Sequence, residues 1–269
     1  MKTLIYDSEC PLCSCYTSIF VKTGVLENDG RKNFNEVDEA LLAELDTARM
    51  RNEIPLIDSH TGEKWYGVDA LLELVESRVP TCTKVGRLPA VNWFLKKLYK
   101  LVSLNRKVMV AIPARGYDCS PDFSLRYRIL FLLIGLVFNS WLFTLRVPML
   151  SEYMFPSASS VNLQMVHFTL VSLNITIAIL LGLKQGLEYL GQVNMLALLA
   201  LIATLPASWL ISTAGSSVTW FYLGAVSLFI AREYFRRMYY ASILSKYKTV
   251  VFINMICIAA AACYLALIN

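Results

Sequence analysis

The chain has 269 residues, of which 56% are hydrophobic and only 17% are charged. A soluble domain is usually about one quarter charged, so this composition excludes a wholly soluble protein. The charge is also unevenly divided. Residues 1–90 contain 10 Lys/Arg and 15 Asp/Glu, a net charge of −5, whereas residues 91–269 carry a net charge of +10. The sequence therefore predicts an acidic head and a basic, apolar membrane part.

The cysteines and the basic residues exclude two further classes of protein. Seven cysteines without regular spacing do not suit a disulfide-framed secreted domain. The basic residues gather at the ends of apolar segments, where lipid headgroups are the expected partners. We therefore expect membrane lipids, and no nucleic acid, among the partners of this chain.

The head is predicted to begin with an apolar, β-prone strand, a short turn and a helix that opens at Cys10, since Pro11 suits the first helical position. The predicted elements are a strand over Lys2–Tyr6, a helix from Cys10 to about Thr23, a strand within Arg31–Asn35, a helix over Val37–Arg51, a hairpin of Ile54–Asp58 and Lys64–Tyr66, and a helix over Asp69–Ser77. This order predicts an α/β head of the thioredoxin-like type.

The segment Ala90–Lys107 has apolar residues at helical spacing with lysines between them. It is predicted to be a basic amphipathic helix, which suits a membrane surface and equally suits packing on the core of the head. Two prolines and a glycine in Ala111–Asp122 indicate a linker. The predicted domains are a redox head over 1–107, a linker over 108–126 and a membrane domain over 127–269.

About five apolar segments of the all-α membrane domain are long enough to cross a bilayer, which requires roughly 20 helical residues. They are Tyr127–Val147, Val161–Leu183, Gln192–Ala214, Val218–Ala231 with its continuation toward Tyr240, and Thr249–Ile268. Pro206 is expected to kink the third segment, and Arg232 and Glu233 shorten the fourth. With five spans, the heavily basic loops all fall on the side of the head. This pattern predicts a cytoplasmic head and an external C-terminus.

Cys10 and Cys13 form a Cys-x-x-Cys pair at the predicted helix start. Thiolate is the reactive form of cysteine, and the free N–H groups of a helix N-terminus stabilise it. Cys10 is therefore the predicted nucleophile, and Cys13, one turn deeper, is the predicted resolving thiol. Asp7 is predicted either to carry a proton to or from Cys13 or to cap the turn before the helix.

Ile54 and Pro55 are the candidate substrate-binding residues. Thioredoxin-like domains place a cis-proline before the third strand, opposite the cysteine pair, where the backbone of the preceding residue binds substrate. Pro55 begins a strand at a suitable distance for this role. A trans-proline at a strand edge is the alternative interpretation.

The opening Tyr6-Asp7-Ser8-Glu9-Cys10-Pro11-Leu12-Cys13 resembles the DCC family, which is named for its Asp-x-x-Cys-x-x-Cys motif and is regarded as a family of thiol–disulfide oxidoreductases. Gly67-Val68-Asp69-Ala70 is similar to the Gly-x-Asp-Ala element of that family, and Tyr99 and Asn105-Arg106 resemble its terminal segment. Ser8 departs from the glycine usual there, and Cys15 is an addition. The resemblance covers roughly residues 3–107 and implies a redox role without identifying a substrate.

A Cys-x-x-Cys pair can also supply two of the four ligands of a zinc site. Two further ligands are hard to find in the sequence, because the remaining candidates do not form a second pair. Cys82 and Cys119 are single cysteines, His60 is a turn residue and His167 lies within a span. Cys15, Cys257 and Cys263 are expected to pack, and a thiol relay across the membrane through Cys119 and Cys257 is the alternative. His167, Gln164, Asn139, Asn174, Asn194 and Asn254 are predicted to hold helices together or, in the case of His167, to mark a site.

The sequence thus predicts a membrane-anchored oxidoreductase that exchanges the Cys10–Cys13 dithiol with protein or small-molecule disulfides at the cytoplasmic face. A cellular dithiol donor is the expected second partner, and neither a metal nor an organic cofactor is expected. The cytosolic location favours disulfide reduction. In the alternative, the membrane domain carries the main function, by transport or with a lipid-soluble substrate, and the head is a redox sensor or assembly module.

Overall fold

The computed structural model describes residues 2–112 and 120–268. The chain divides into two compact units, unit 1 over Met1–Arg128 and unit 2 over Ile129–Asn269. The predicted domain limits of 1–107 and 127–269 stay predictions. Part of the predicted linker lies outside the described residues.

Unit 1 contains the predicted strands and the cysteine-bearing helix. Its elements are β1 (Lys2–Tyr6), α1 (Pro11–Lys22), β2 (Arg31–Asn33), α2 (Glu39–Ala43), α3 (Thr47–Met50), β3 (Pro55–Asp58), β4 (Lys64–Tyr66), α4 (Val68–Val75), α5 (Pro80–Gly86) and α6 (Pro89–Val110). The single helix predicted over 37–51 is wrong, because Asp46 interrupts it. The Asp46 side chain accepts hydrogen bonds from the backbone N–H groups of Ala48 and Arg49 and so begins α3 as a new helix.

The four strands form one mixed sheet in the order β2-β1-β3-β4. β1 pairs in parallel with β2, with Leu4 opposite Arg31, and antiparallel with β3, with Leu4 opposite Leu56. β4 continues the sheet as the antiparallel partner of β3. A parallel pair needs a crossover connection, which α1 provides between β1 and β2. The cysteine-bearing helix therefore starts directly after the central strand.

Neighbouring side chains of β1 are buried on opposite faces of the sheet. Leu4 packs with Leu56 and Leu74 in a cluster that also contacts side chains of α1 and Tyr99 of α6. Ile5 belongs to a second cluster, which contains Phe34, Val37, Leu45, Met50 and Tyr66. This alternation is the two-residue period of a strand. It puts α1, α4 and α6 on one face and the short helices α2 and α3 on the other.

Unit 2 is helical. Its elements are the greater part of α7 (Leu125–Met149), a π-helical turn (Leu150–Met154), α8 (Ser160–Leu180), α9 (Leu183–Ala203), α10 (Pro206–Ala214), α11 (Ser216–Tyr240), α12 (Ile243–Lys246) and α13 (Lys248–Leu267). Within the described residues, four segments are long and apolar enough to cross a membrane: Leu125–Met154, Ser160–Leu180, Leu183–Ala214 and Lys248–Leu267. They correspond to the first, second, third and fifth predicted spans. The chain is therefore compatible with an integral membrane protein.

The predicted count of five spans is corrected to four, because α11 does not qualify. Its 25 residues could extend about 37 Å, but its C-terminal part is charged. Glu233 binds Arg236 and Arg237 with N–O distances of 2.5 and 3.0 Å, and Arg237 also donates to Gln192 of α9 at 2.9 Å. Arg237 is buried by these contacts. The charges of α11 thus serve packing within unit 2, and they deprive the helix of a long apolar surface.

Polar side chains join the helices of unit 2, as predicted for Asn174 and Asn254. Asn254 Nδ2 donates to Asn174 Oδ1 at 3.2 Å, to Tyr189 Oη at 3.0 Å and to Tyr234 Oη at 3.2 Å. Tyr189 in turn donates to Asn174 Oδ1 at 2.5 Å. These four residues come from α13, α8, α9 and α11. Hydrogen bonds of this kind hold helices together where the surroundings are apolar.

Candidate active site

The turn between β1 and α1 places the cysteine pair at the start of the helix. Asp7 Oδ1 accepts a hydrogen bond from the Glu9 N–H at 3.0 Å, and the Asp7 carbonyl accepts one from the Cys10 N–H at 3.2 Å. Cys10 is the N-cap residue of α1, and Pro11 occupies the first helical position. The hydrogen bonds of Asp7 are those expected of a turn residue.

Asp7 also brings a buried carboxylate to this end of the helix. Only 5% of the residue is exposed, and its Oδ2 has no hydrogen-bond partner among the described residues. Its charge opposes ionisation of Cys10 and raises the pKa of that thiol, although other effects outweigh it. Asp7 is thus close enough to influence Cys10, while its predicted role in moving a proton at Cys13 stays a prediction.

The two thiols of the pair are free, buried and chemically unequal. A hydrogen bond with the Cys13 side chain is the largest effect on Cys10, and it lowers the pKa of Cys10 to about 6 despite burial. The backbone amide of Cys13 and the charge of Arg106 act in the same direction. The same hydrogen bond raises the pKa of Cys13 far above its usual range, and burial and the charge of Cys10 add to this rise. Cys10 is therefore thiolate at neutral pH, and Cys13 holds the proton.

Arg106 supplies positive charge to both thiols from α6. Its Nη2 donates to the Arg51 carbonyl at 2.9 Å and its Nη1 to Ser103 Oγ at 3.2 Å, while Ser103 donates to the Asn52 carbonyl. The guanidinium is buried, and it lowers the pKa of Cys10 and of Cys13. Arg106 was not among the predicted site residues. The sequence feature that could have identified it is the Asn105-Arg106 pair, which resembles the terminal segment of the DCC family.

Tyr16 lies one helical turn beyond Cys13, and a hydrogen bond between the two side chains lowers the pKa of Cys13. Burial raises the pKa of Tyr16 far above its ordinary value, so its hydroxyl keeps the proton and is a donor. The spacing of three residues on a helix allows this contact. Sequence reasoning missed Tyr16, because an aromatic residue at that position is equally expected to be core.

Thr17 and Arg31 fix the helix against the parallel strand. Thr17 Oγ1 donates to the Cys13 carbonyl at 2.7 Å and accepts from Arg31 Nε at 2.9 Å. Arg31 also donates to Ser14 and lies 4.0 Å from the centre of the Tyr6 ring. These contacts hold the first turn of α1, and with it the cysteine pair, on the edge of β1 and β2.

The cis-proline expected at Ile54–Pro55 is not present, while the substrate-binding role of these two residues stays a prediction. Pro55 begins β3, and the bond before it is trans. The Ile54 N–H donates to Tyr99 Oη at 2.9 Å, and the Ile54 carbonyl accepts from the Gly67 N–H at 2.9 Å. The backbone of Ile54 is therefore already engaged within the head. The trans alternative holds, and these residues link β3 to α6 and to the start of α4.

Gly67 and Tyr99, two residues of the family resemblance, meet at this link. Gly67 has φ of +58°, and an added Cβ would lie 3.3 Å from Tyr99 Cε1 and 3.4 Å from Glu53 Cγ. Glycine is required there both by the backbone conformation and by the space. Burial is the main cause that raises the pKa of Tyr99, to about 12, so its hydroxyl stays protonated.

The other candidate residues do not join the cysteine pair. Cys15 and Cys82 are exposed, Cys257 and Cys263 lie on α13 without a disulfide, and Cys119 falls outside the described residues. Within the described part of the chain, no group of three or more His, Cys, Asp or Glu could hold a metal ion.

The convergence of these motif residues around one buried cysteine pair agrees with the sequence comparison. Residues 4–111 match the DCC1-like thiol-disulfide oxidoreductase family. The predicted resemblance is confirmed for this DCC1-like segment, which contains Asp7, both cysteines, Gly67 and Arg106. No curated protein and no solved structure matches the chain. The DCC1-like segment and the four apolar helices together support a membrane-associated redox protein.

Proposed function

We propose that the chain is a membrane-anchored thiol–disulfide oxidoreductase in which Cys10 is the nucleophile and Cys13 the resolving thiol. The observation that carries this proposal is the placement of the pair, with Cys10 as the N-cap residue of α1 and Cys13 buried one turn deeper. Cys10 is stabilised as thiolate at the N-terminus of α1, and Cys13 is held protonated one turn deeper. A thiolate beside a proton-bearing partner is the starting state that disulfide exchange requires.

The exchange proceeds in two substitutions at sulfur. The Cys10 thiolate attacks one sulfur of a substrate disulfide, forms a mixed disulfide with it and releases the other sulfur as a thiolate, which takes a proton. Cys13 then loses its proton and attacks Cys10 Sγ, which releases the second substrate thiol and leaves a Cys10–Cys13 disulfide. The substrate gains two electrons and two protons. A dithiol donor returns both to the pair by the same exchange.

The local geometry assists the second step. Once Cys10 is in a mixed disulfide, it no longer carries the thiolate whose hydrogen bond and charge raise the pKa of Cys13. The Tyr16 hydroxyl and the Arg106 charge, both of which lower that pKa, remain in place. Cys13 therefore ionises more readily at the moment when it is needed. No organic cofactor enters this scheme, because the electrons are carried by the cysteine pair.

Cys10 is only 3% exposed. This favours a small or extended disulfide over one on a bulky folded surface.

We further propose a thioredoxin-like arrangement for unit 1, supported by the strand–helix–strand crossover, the antiparallel β3–β4 pair, and the cysteine pair at the start of α1.

We place unit 1 at the cytoplasmic face, where reduction is favoured. Arg126 and Arg128 lie at the start of the first apolar helix, and residues 155–159 beyond it contain no Lys or Arg, which is the asymmetry of a cytoplasmic N-terminal side. With unit 1 in the cytoplasm, the predicted external C-terminus requires an odd number of spans, which four helices do not provide. Reporter fusions at the N-terminus and at the C-terminus, active only in the cytoplasm or only outside it, test the cytoplasmic placement of unit 1 and the external placement of the C-terminus.

Trapping in cells tests the proposed reaction. Cys13→Ser should accumulate a mixed disulfide at Cys10, whereas Cys10→Ser should capture nothing. Cys15→Ser is the matched control, because Cys15 is an exposed thiol on the same helix, and it should behave as wild type. In a reductase assay on the purified full-length protein with a small aromatic disulfide and dithiothreitol, Cys10→Ser should lose activity. Full activity in that variant, or none in wild type, contradicts the proposal.

A further inference from the structure

The helix α6 packs on the rest of unit 1 through one of its sides only. On that side, Tyr99 and Arg106 form hydrogen bonds with backbone groups that precede β3. The other side carries large apolar side chains that remain exposed: Trp93 is 63% exposed, Phe94 is 58% exposed and Leu98 is 46% exposed. Large apolar side chains gathered on one exposed helical face mark a surface that contacts another partner.

Basic residues accompany this apolar face. The helix has five Lys/Arg residues and no Asp or Glu, whereas residues 1–90 have a net charge of −5. Lys97 and Lys100 are exposed, and Lys97 Nζ lies 5.7 Å from the centre of the Trp93 ring. Tryptophan and lysine occur together where a protein meets the membrane surface, because the ring lies among the headgroups and the amine extends toward the lipid phosphates. The partner of this face should therefore be both apolar and negatively charged.

Unit 1 also includes Leu125–Arg128, the first turn of α7, which begins the first of the four apolar segments. Asn105 of α6 is buried, and its Nδ2 donates to the Tyr127 carbonyl at 3.2 Å. The segment before α7 is bound as well, because Asn52 Nδ2 donates to Asp122 Oδ2 at 2.7 Å and the Asp122 N–H donates to Asn52 Oδ1 at 3.0 Å. A helix that crosses a membrane begins at the membrane surface. These contacts therefore hold α6 close to that surface.

We propose that α6 lies in the interface of an anionic membrane, with Trp93, Phe94 and Leu98 at the boundary between headgroups and acyl chains and with Lys97 and Lys100 against the negatively charged headgroups. A basic amphipathic helix with Trp, Phe and Leu on its apolar face is the kind of helix that binds in this way. Anionic lipid supplies both the apolar layer and the negative charge that this face requires.

The proposed contact leaves the cysteine pair outside the lipid. Tyr99 and Arg106 lie on the buried side of α6, and the charge of Arg106 acts on both thiols from that side. The exposed side is thus free to contact lipid without disturbing these interactions. The inference does not depend on redox activity, and neither does its test.

The test uses the full-length protein in two kinds of lipid nanodisc, one of phosphatidylcholine alone and one with about one third phosphatidylglycerol. Both contain a trace of phosphatidylcholine with a diazirine on the acyl chain next to the glycerol. After illumination, lipid adducts are mapped by mass spectrometry. We expect adducts on Trp93, Phe94 and Leu98, and about threefold more of them in the anionic nanodiscs. The exposed turn 59–63 is the internal reference and should carry few.

Lys97→Glu should remove the gain in adducts that anionic lipid produces, whereas the control Lys22→Glu, with the same charge change at an exposed position of α1, should keep it. Labelling of α6 no higher than that of the reference turn would show that another protein surface covers this face, and it would overturn the proposal. Equal labelling of α6 in the two lipid compositions would overturn it as well. If Lys97→Glu does not fold, the comparison of the two nanodiscs with the wild type still decides the outcome.

Discussion

The pKa of Cys10 should depend mainly on the Cys13 thiol, and Cys13→Ala tests this directly. With a pKa of about 6, Cys10 is about 90% thiolate at pH 7. Loss of the leading hydrogen bond should return its pKa toward 9, where about 1% is thiolate at pH 7. The thiolate fraction at pH 7 therefore falls by roughly 90-fold.

The rate of exchange should fall by less than the thiolate fraction. A thiolate of higher pKa is the better nucleophile, with a Brønsted coefficient of about 0.4–0.5, so a rise of about three units increases its intrinsic reactivity by roughly 15- to 30-fold. The net rate at pH 7 should fall by about three- to sixfold. Above pH 9 the variant should react faster than wild type, so the two pH profiles cross.

The assay measures the rate at which the Cys10 thiol is consumed by a small disulfide between pH 4 and 10, by alkylation of the remaining thiol and peptide mass spectrometry, because this rate reports the attack by Cys10 whether or not Cys13 then resolves the mixed disulfide. The reduced wild type and the control Cys15→Ala should show a midpoint near pH 6, and Cys13→Ala one near pH 9. A midpoint that stays near 6 in Cys13→Ala would refute the role assigned to the Cys13 thiol, and a wild-type midpoint near 9 would refute the lowered pKa itself.

Three further predictions concern unit 1. Arg106→Gln should raise the pH midpoint of the Cys10 reaction by less than Cys13→Ala does, because the charge of Arg106 lowers the pKa of Cys10 less than the Cys13 hydrogen bond does. Arg106→Lys keeps the charge, so its midpoint should lie between those of the wild type and Arg106→Gln. An unchanged midpoint in Arg106→Gln would contradict an effect of the Arg106 charge on Cys10. Gly67→Ala should lower the free energy of unfolding, measured by denaturant titration, by about 2–3 kcal/mol, because the new Cβ adds close contacts with Tyr99 to the strain of a positive φ. The control Gly62→Ala has φ of +72° but nothing within 4 Å of its Cβ, so it should lower the free energy of unfolding by only about 1 kcal/mol. Equal losses in the two variants would contradict the steric argument. The folded-state pKa of Cys10 lies below its unfolded value, so the stabilisation it provides is complete above pH 9 and is lost as the pH falls through about 6. The melting temperature of the reduced protein should therefore rise between pH 6 and 9, and Cys10→Ser should abolish that rise; a rise of the same size in the variant argues against the linkage.

Local patterns in the sequence predicted much of the fold. Some elements depend only on residues that are neighbours in the chain, and the structure confirms them. They are the strand at Lys2–Tyr6, the helix that begins with the proline after Cys10, and the hairpin of β3 and β4. Four of the five predicted apolar spans likewise correspond to helices that are long and apolar enough to cross a membrane, since length and composition are sufficient for that inference. The two failures, the helix over 37–51 and the fifth span, depended on side chains whose role is set by contacts: Asp46 as a cap, and Arg237 buried against Gln192.

The sequence by itself determined that Cys10 and Cys13 lie at the start of a helix on a head attached to apolar helices, because spacing and composition are properties of the chain. Only the tertiary structure decided how the two thiols differ. Arg106 is far from Cys10 in sequence, and its charge reaches the pair because α6 packs on the same face of the sheet as α1. Electrostatic effects and hydrogen bonds depend on distances in space, which sequence order does not specify.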